Sequence, residues 1–423
     1  MAEITKIRGA NTPAAYRPGI VAVLDVGTSK TVCLIGRSDH GKLQVIGAAL
    51  RESNGMRAGI VTNLREAQES IMDAVAAAEA MADTRIQNVL LSVNCGQPTS
   101  VTGRAIAALD GELVSNAHLR VLLQDGRAKC RLDGHEIIQV APTSYVVDEA
   151  RGVKNPLGMY CQRIGVAMHA VAVRPSPLHN LKLAVENSHL NVVATQFGAY
   201  AAGYSSLTDD EKQLGATVID LGGGCTSVAV FNEGHLVHAD VIPMGGQQVT
   251  EDLSRMFTTP LSAAERIKTL WGAALGDLEA NADVIAVPQM GEDEDGAARR
   301  IPRSMLTRVI QARIEEILGH VQQRLRASGY DVAVGRRAVL TGGGSQLSGV
   351  RDLAERVLNK QVRLGRPQMF LGMPASAGPD YATAVGLLMV GATMAPEALN
   401  PERADEPEQT GGWFKRLTGG LLG

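Results

Sequence analysis

The chain has 423 residues, 45% of them hydrophobic and 20% charged, with a formal net charge of -3. That length exceeds one ordinary core and suits two or three domains with a cleft between them. So small a net charge argues against a broad basic surface for nucleic acid, and no apolar run of the roughly 18 residues that a bilayer span needs is present.

The five cysteines, Cys33, Cys95, Cys130, Cys161 and Cys225, are scattered without zinc-type spacing and are read as reduced thiols of a cytoplasmic protein. Met1 to Pro18 carries Lys6, Arg8 and Arg17 but no apolar run, so it is expected to be a flexible leader rather than a secretory signal. Ile20 to Leu24 is a β-branched run that enters the turn Asp25-Val26-Gly27-Thr28-Ser29-Lys30 before Thr31 to Ile35, which predicts a hairpin. Asn63 caps a helix whose apolar stripe is Leu64, Ala67, Ile71, Val75 and Ala78, ending near Asp83. From Val89 to about His169 the texture is that of short strands with one helical piece, Ser115 to Ala128, and is expected to form a small inserted α/β domain. Leu178 to Ser188 reads as a helix.

A second hairpin follows: Ala216 to Leu221, the turn Gly222 to Ser227, then Val228 to Phe231. Both hairpins carry an Asp at the end of their first strand, Asp25 and Asp220, which marks a weak internal repeat and two similar half-molecules. Glu292 to Asp295 is expected to be a solvated acidic loop, and Leu306, Ile310, Ile314, Ile317, Val321 and Leu325 form one face of a helix from about Arg303 to Ser328. Val339 to Ser345 is a strand entering a glycine turn, and Tyr381 to Val390 is a helix rich in small residues.

Any one glycine turn is usually only a turn; three, each after a β-branched strand, point to phosphate. Glycines let backbone N–H groups approach phosphate oxygens, and an aspartate facing such a nest needs a cation between them. Asp25 and Asp220 therefore imply Mg2+ held through water.

With these elements in chain order, the sequence resembles the actin, Hsp70 and sugar-kinase superfamily of ATPases. Asp25, Gly27, Thr28, Ser29 and Lys30 lie in what resembles its first phosphate loop, and Asp220, Gly222, Gly223, Gly224 and Thr226 in its second. Gly342, Gly343, Gly344 and Ser345 resemble the adenosine motif, and Gln196 with the small residues after it resembles the first connecting helix, where the glutamine is a candidate for positioning water. The resemblance assigns Glu265 and Lys268 to ribose or adenine, although their i and i+3 spacing also suits a surface ion pair. The implied fold is α/β, actin-like and two-lobed, with ATP and Mg2+ in the cleft.

Within the superfamily the chain resembles the cell-division family FtsA, through Ile137 to Tyr145 and Gly152 to Gly158 of the insert, Leu207 to Lys212, and the terminal Trp413-Phe414-Lys415-Arg416-Leu417. The organisation this implies is a leader (1–19), a first lobe (20–88 and 170–207) carrying an inserted 1C-type subdomain (89–169), and a second lobe (208–245 and 335–374) carrying subdomain 2B (246–334). A connecting helix (375–394), a disordered acidic linker (395–410) and an amphipathic membrane-targeting helix (411–423) complete it. The implied partners are the C-terminal peptide of the tubulin-like protein FtsZ, met on 2B, further copies of the chain in a filament, anionic inner-membrane lipid, and later division proteins. The implied place is the cytoplasmic face of the inner membrane at the division site. One departure is that second loops of this family usually continue with Thr-Thr-Asp, whereas here Cys225, Thr226 and Ser227 follow the glycines, so at most slow hydrolysis is expected. The rival readings are a pilus-assembly actin homologue of the PilM type and a scaffold that holds nucleotide without hydrolysing it.

As a helix, the tail sets Trp413, Leu417 and Leu421 on one face with Phe414 and Leu422 beside them, and Lys415 and Arg416 toward the flank, a pattern suited to the headgroup boundary. Burying a side chain of that size is worth roughly 1.5 to 3 kcal/mol. Losing Trp413, Phe414 or Leu417 should therefore weaken a single-copy contact by at least about tenfold. Deleting Gly411 to Gly423 is expected to abolish co-pelleting with anionic vesicles while leaving ATP binding intact; a truncated protein that still co-pellets contradicts the tether.

Overall fold

The computed structural model describes residues 16–276, 283–291 and 298–394. The acidic loop, the linker, the terminal helix and most of the leader lie outside these residues.

The first hairpin opens a five-stranded sheet. β1 (Gly19–Val26), β2 (Lys30–Asp39) and β3 (Lys42–Glu52) form an antiparallel meander, and β6 (Asn88–Val93) and β11 (Asn191–Phe197) add in parallel beyond β1. The second hairpin repeats the plan. β12 (Ala216–Leu221), β13 (Thr226–Asn232) and β14 (His235–Ile242) are antiparallel, and β17 (Arg337–Thr341) and β18 (Gln361–Leu364) add in parallel beyond β12. The orders β11-β6-β1-β2-β3 and β18-β17-β12-β13-β14 are the same, so the repeat read from two aspartates is a repeat of whole sheets. β1 and β12 are the central strands, and their Asp residues project from corresponding ends.

One boundary moves. Val89 to Val93, read as the start of the insert, belongs to β6, which lies between β1 and β11 in the first sheet. Five consecutive buried residues on β6 are the mark of a strand covered on both faces. The insert proper is an antiparallel sheet of β7 (Thr99–Leu113), β10 (Tyr160–Val173), β8 (Glu136–Val147) and β9 (Ala150–Val153), in that order. It is backed by α2 (Asn116–Ala128), whose cap is Ser115, and it has its own core around Leu122, Ile164 and Met168. Its entry and exit lie side by side, since the Arg174 N–H donates to the Gly96 carbonyl at 2.7 Å.

In the first lobe, α1 (Leu64–Ala82) starts at Asn63, whose side chain accepts the Glu66 N–H, and ends at Asp83 in left-handed backbone. Its buried face is Ala67, Ile71, Ala74, Val75 and Ala78, and α3 (Pro175–Glu186) packs beside it. A two-residue-armed hairpin, β4 (Met56–Arg57) and β5 (Ile60–Val61), precedes α1. In the second lobe, α5 (Asp209–Leu214) leads into β12, and α10 (Val350–Leu358) joins β17 to β18. Between β14 and β17 sit α6 (Gly246–Phe257), α7 (Leu261–Trp271), the hairpin of β15 (Val284–Val287) and β16 (Arg299–Pro302), α8 (Arg303–Ser328) and the short α9 (Tyr330–Ala333). All six residues of the α8 stripe are buried.

The lobes are joined by α4 (Gly198–Ser206) and α11 (Ala382–Thr393). Gln196, expected at the start of the first connecting helix, is the penultimate residue of β11, and the helix begins two residues later. The two helices cross on small residues, with the Ser205 hydroxyl donating to the Ala382 carbonyl at 2.7 Å. A Cβ on Gly386 would collide with the Ala201 carbonyl oxygen, backbone that has no rotamer to yield. Gly386→Val is therefore expected to destabilise the fold by about 2 kcal/mol or more, seen as a lowered midpoint in thermal unfolding; an unchanged midpoint contradicts this account of the joint.

Candidate functional site

The central strands of the two sheets deliver the first and second loops to opposite walls of one cavity of 510 Å³. The loops touch. A Cβ on Gly223 would strike the Ser29 hydroxyl, and one on Gly224 the Thr28 hydroxyl, so glycine at these positions is what lets the lobes meet. The third loop closes the same end: Gly342, at φ 81°, is pressed so closely on the Asp220 carboxylate that a Cβ would overlap it.

Charge is concentrated where the loops converge. Lys30 is half-buried as a residue, but its Nζ is fully enclosed without a hydrogen-bond partner, and Asp25, Asp220 and Asp380 are the charges around it. Burial pushes the ammonium below its ordinary value against the pull of those three carboxylates. Burial raises the Asp25 carboxyl, opposed by a hydrogen bond from the Ser92 hydroxyl and by Lys30. Asp220 is pushed up to about 6, first by burial and then by the Asp25 charge; the Thr383 hydroxyl, donating at 3.2 Å, opposes the shift.

At the far wall, Lys268 donates to the Glu265 carboxylate at 2.6 Å, the Thr250 hydroxyl at 2.9 Å and the Gly246 carbonyl at 3.1 Å. Glu265 and Lys268 thus form the ion pair that their spacing allows, and both line the cavity. All the glycines named from the sequence line it too. Gln196, Thr226 and Ser345 do not. Gln196 is buried in β11; the Thr226 hydroxyl donates to the Met244 carbonyl at 2.8 Å, and the Ser345 hydroxyl to the Gly342 carbonyl at 2.7 Å, so these two shape the loops from behind. Ser227 lines the cavity, its hydroxyl donating to the Asn94 side chain at 3.1 Å. The membrane residues Trp413 to Leu422 lie outside the described residues.

Sequence reasoning missed Asn94, Asp380, Thr383, Gly245, Gly246 and Arg303, all of which line the cavity. Asp380 immediately precedes the helix read from Tyr381 to Val390 and Thr383 lies in its first turn, so position at the start of that helix was a usable signal. Asn94 follows a strand assigned to the wrong sheet, and Arg303 arrives by the packing of α8; neither carries a local mark.

Three comparisons bear on the chain. The family profile described as Cell division protein FtsA matches residues 217–386, and that of the SHS2 domain inserted in FTSA matches residues 95–172. The Cell division protein FtsA of Agrobacterium fabrum is 38% identical over 388 residues, covering 89% of this chain and 88% of that protein. Among solved structures, a PilM-PilN type IV pilus biogenesis complex superposes with a TM-score of 0.60 at 16% identity, covering 88% of this chain and 98% of that one. MreB5 of Spiroplasma citri bound to ADP gives 0.55 at 12% identity, covering 90% and 98%. The fold is the two-lobed actin-like one with an SHS2 insertion.

The raised Asp220 carboxyl makes a signed prediction. A carboxyl whose folded value lies above its unfolded one stabilises the protonated fold at low pH, and that contribution is lost as pH rises from 3.8 to about 6. In chelator without nucleotide, Asp220→Asn is therefore expected to gain stability over wild type across that window and to hold the gain above it. Denaturant melts that stay parallel for the two proteins contradict this reading.

Proposed function

The chain belongs to the FtsA cell-division family, and from that premise we propose that it binds ATP with Mg2+ in the cleft, assembles with copies of itself, and tethers the FtsZ ring to the inner membrane. The observation that carries the nucleotide reading is the buried Lys30 ammonium without a partner, in a glycine-walled cavity that also holds Asp25 and Asp220. An unpaired buried charge is costly, and a phosphate oxygen is the acceptor this one lacks. The pair of carboxylates suits a cation by the same logic. Among the described residues no group of three or more His, Cys, Asp or Glu side chains is placed to hold a metal, so Mg2+ at Asp25 and Asp220 would complete its shell with water and phosphate.

The bound nucleotide supplies a terminal phosphate as a removable contact between the lobes. The loop glycines offer backbone N–H groups to the phosphates, Lys30 neutralises them, and Glu265 and Lys268 bracket the ribose or base. Ser227 gives the cavity a hydroxyl where relatives carry a carboxylate, so no base there takes a proton from water and turnover is slow; the same residue supports the second reading, a scaffold that only holds nucleotide.

For the FtsZ peptide the favoured surface is a 580 Å³ groove between α6 and α8, in the 2B region, with apolar Met256 and Val309 beside Arg255 and Arg308. Arg313 is bound to Asp252 at 2.6 and 3.0 Å and stiffens the groove wall. Among the described residues no helix is long and apolar enough to cross a membrane, and the terminal Trp-Phe-Lys-Arg segment is the proposed anchor for anionic lipid. Later division proteins would then be gathered on the filament.

ATP with Mg2+ is expected to raise the thermal midpoint of the wild type, by the mass action of a ligand that binds only the folded state, and Lys30→Met should lose most of that rise. Equal protection of both proteins would overturn the cleft assignment.

A further inference from the structure

After β18 the chain crosses back to the first lobe before it enters α11. The Gln368 N–H donates to the Ser205 carbonyl at 3.0 Å, and the Leu371 carbonyl accepts the Val45 N–H of β3 at 2.9 Å. Gly372, at φ 87°, lies so close that a Cβ would overlap the Val45 carbonyl oxygen. The segment thus covers the outer edge of β3. Phe370 and Met373 pack inward with Tyr16, whose ring meets Phe370 edge-on at 6.3 Å. Covering an edge does not account for Met369 and Leu371, which stand 52% and 78% exposed beside those inward residues.

Both ends of the described core leave beside this patch. The Arg17 N–H donates to the Ala392 carbonyl at 2.7 Å, and Met394, where the described residues end, is itself 44% exposed. Gly391 lies over Val21, and Val21, Gly36 and Val45 stand side by side on β1, β2 and β3. Leu371 continues that row, so about 15 Å, three strand spacings, separates it from the end of α11. Trp413 follows nineteen residues beyond Met394, and a flexible linker of that length spans roughly 25 Å. The chemistry agrees with the reach. Methionines adapt their shape to a partner and pair well with aromatic rings, and the tail offers Trp413 and Phe414.

We infer that the patch of Met369, Leu371 and Met394 is a docking surface for this chain's own amphipathic tail, residues 413–422, which covers it when no membrane is present. Tethering supplies an effective concentration of about 1 mM, so a contact of about 0.1 mM strength keeps roughly nine tails in ten docked. The patch and lipid then compete for one apolar face, and the membrane affinity of a single copy falls with the fraction of open tails. The docking rests on the apolar pattern of the tail and goes beyond the anchor reading above.

The test uses the full chain carrying Trp271→Phe, which leaves Trp413 as its one tryptophan. Without lipid, acrylamide quenching of Trp413 is expected to rise at least about threefold on Leu371→Glu, because a tenfold weaker contact opens about half of the tails. Leu371 faces water, so this variant is expected to keep the parent's thermal midpoint, and Met369→Glu repeats the measurement at a second exposed position. Phosphatidylglycerol vesicles should bind Leu371→Glu about fivefold more tightly than its parent. Quenching that neither variant changes overturns the inference. So does shielding of Trp413 that fades on dilution, which would put a second copy on the patch, and so does weaker vesicle binding by Leu371→Glu, which would give the patch to lipid. If no protein binds vesicles while the quenching difference stands, the anchor reading fails and the docking remains.

Discussion

One ammonium among three carboxylates, buried where two sheets converge, is the constraint on which the rest of the molecule turns. Lys30 has no hydrogen-bond partner in this cluster, while Asp25 and Asp220 are each held by a hydroxyl, from Ser92 and Thr383. Such a cluster is electrostatically incomplete. It persists because each member is placed by strongly determined structure: Asp25 and Asp220 end central strands, Lys30 opens β2, and Asp380 precedes a connecting helix. Stability is invested in the sheets, and the incomplete charge is left at the loops that they hold in place.

The same residues explain how the site can report to the rest of the chain. Asp220 is tied to Thr383 on α11, and the Thr341 hydroxyl and Gly342 N–H reach the Pro379 carbonyl at 3.4 and 3.2 Å. α11 in turn lies against α4 on glycine and alanine, where no side chain intervenes to absorb displacement. These contacts link the loops directly to the two helices that join the lobes. The insert is fastened to the first lobe where its entry and exit meet at the Arg174–Gly96 hydrogen bond, and it also touches the second, since the Ala239 N–H donates to the Ser100 hydroxyl at 2.8 Å.

Much of this was legible in the sequence. Both hairpins, α1 with its cap and terminus, α8 with its stripe, and the family were read from local patterns, because turn chemistry and helical periodicity are local properties. β6 was misassigned because a short buried strand carries no mark of the sheet it will join. Gln196 was placed on a helix because no Gly-Pro turn signal separates the end of the strand from the small residues of the helix that follows it. Asn94 and Arg303 stayed invisible because only tertiary packing brings them to the cavity.

The central claim is that phosphate and a divalent cation together complete the charge cluster, and calorimetric titration of ATP into the full chain, in Mg2+ and again in chelator, tests it most directly. Three carboxylates facing one ammonium repel a bare polyphosphate, so the account predicts saturable binding in Mg2+ and at least about tenfold weaker binding in chelator. Binding of equal strength in both conditions, or no binding in either, would contradict it.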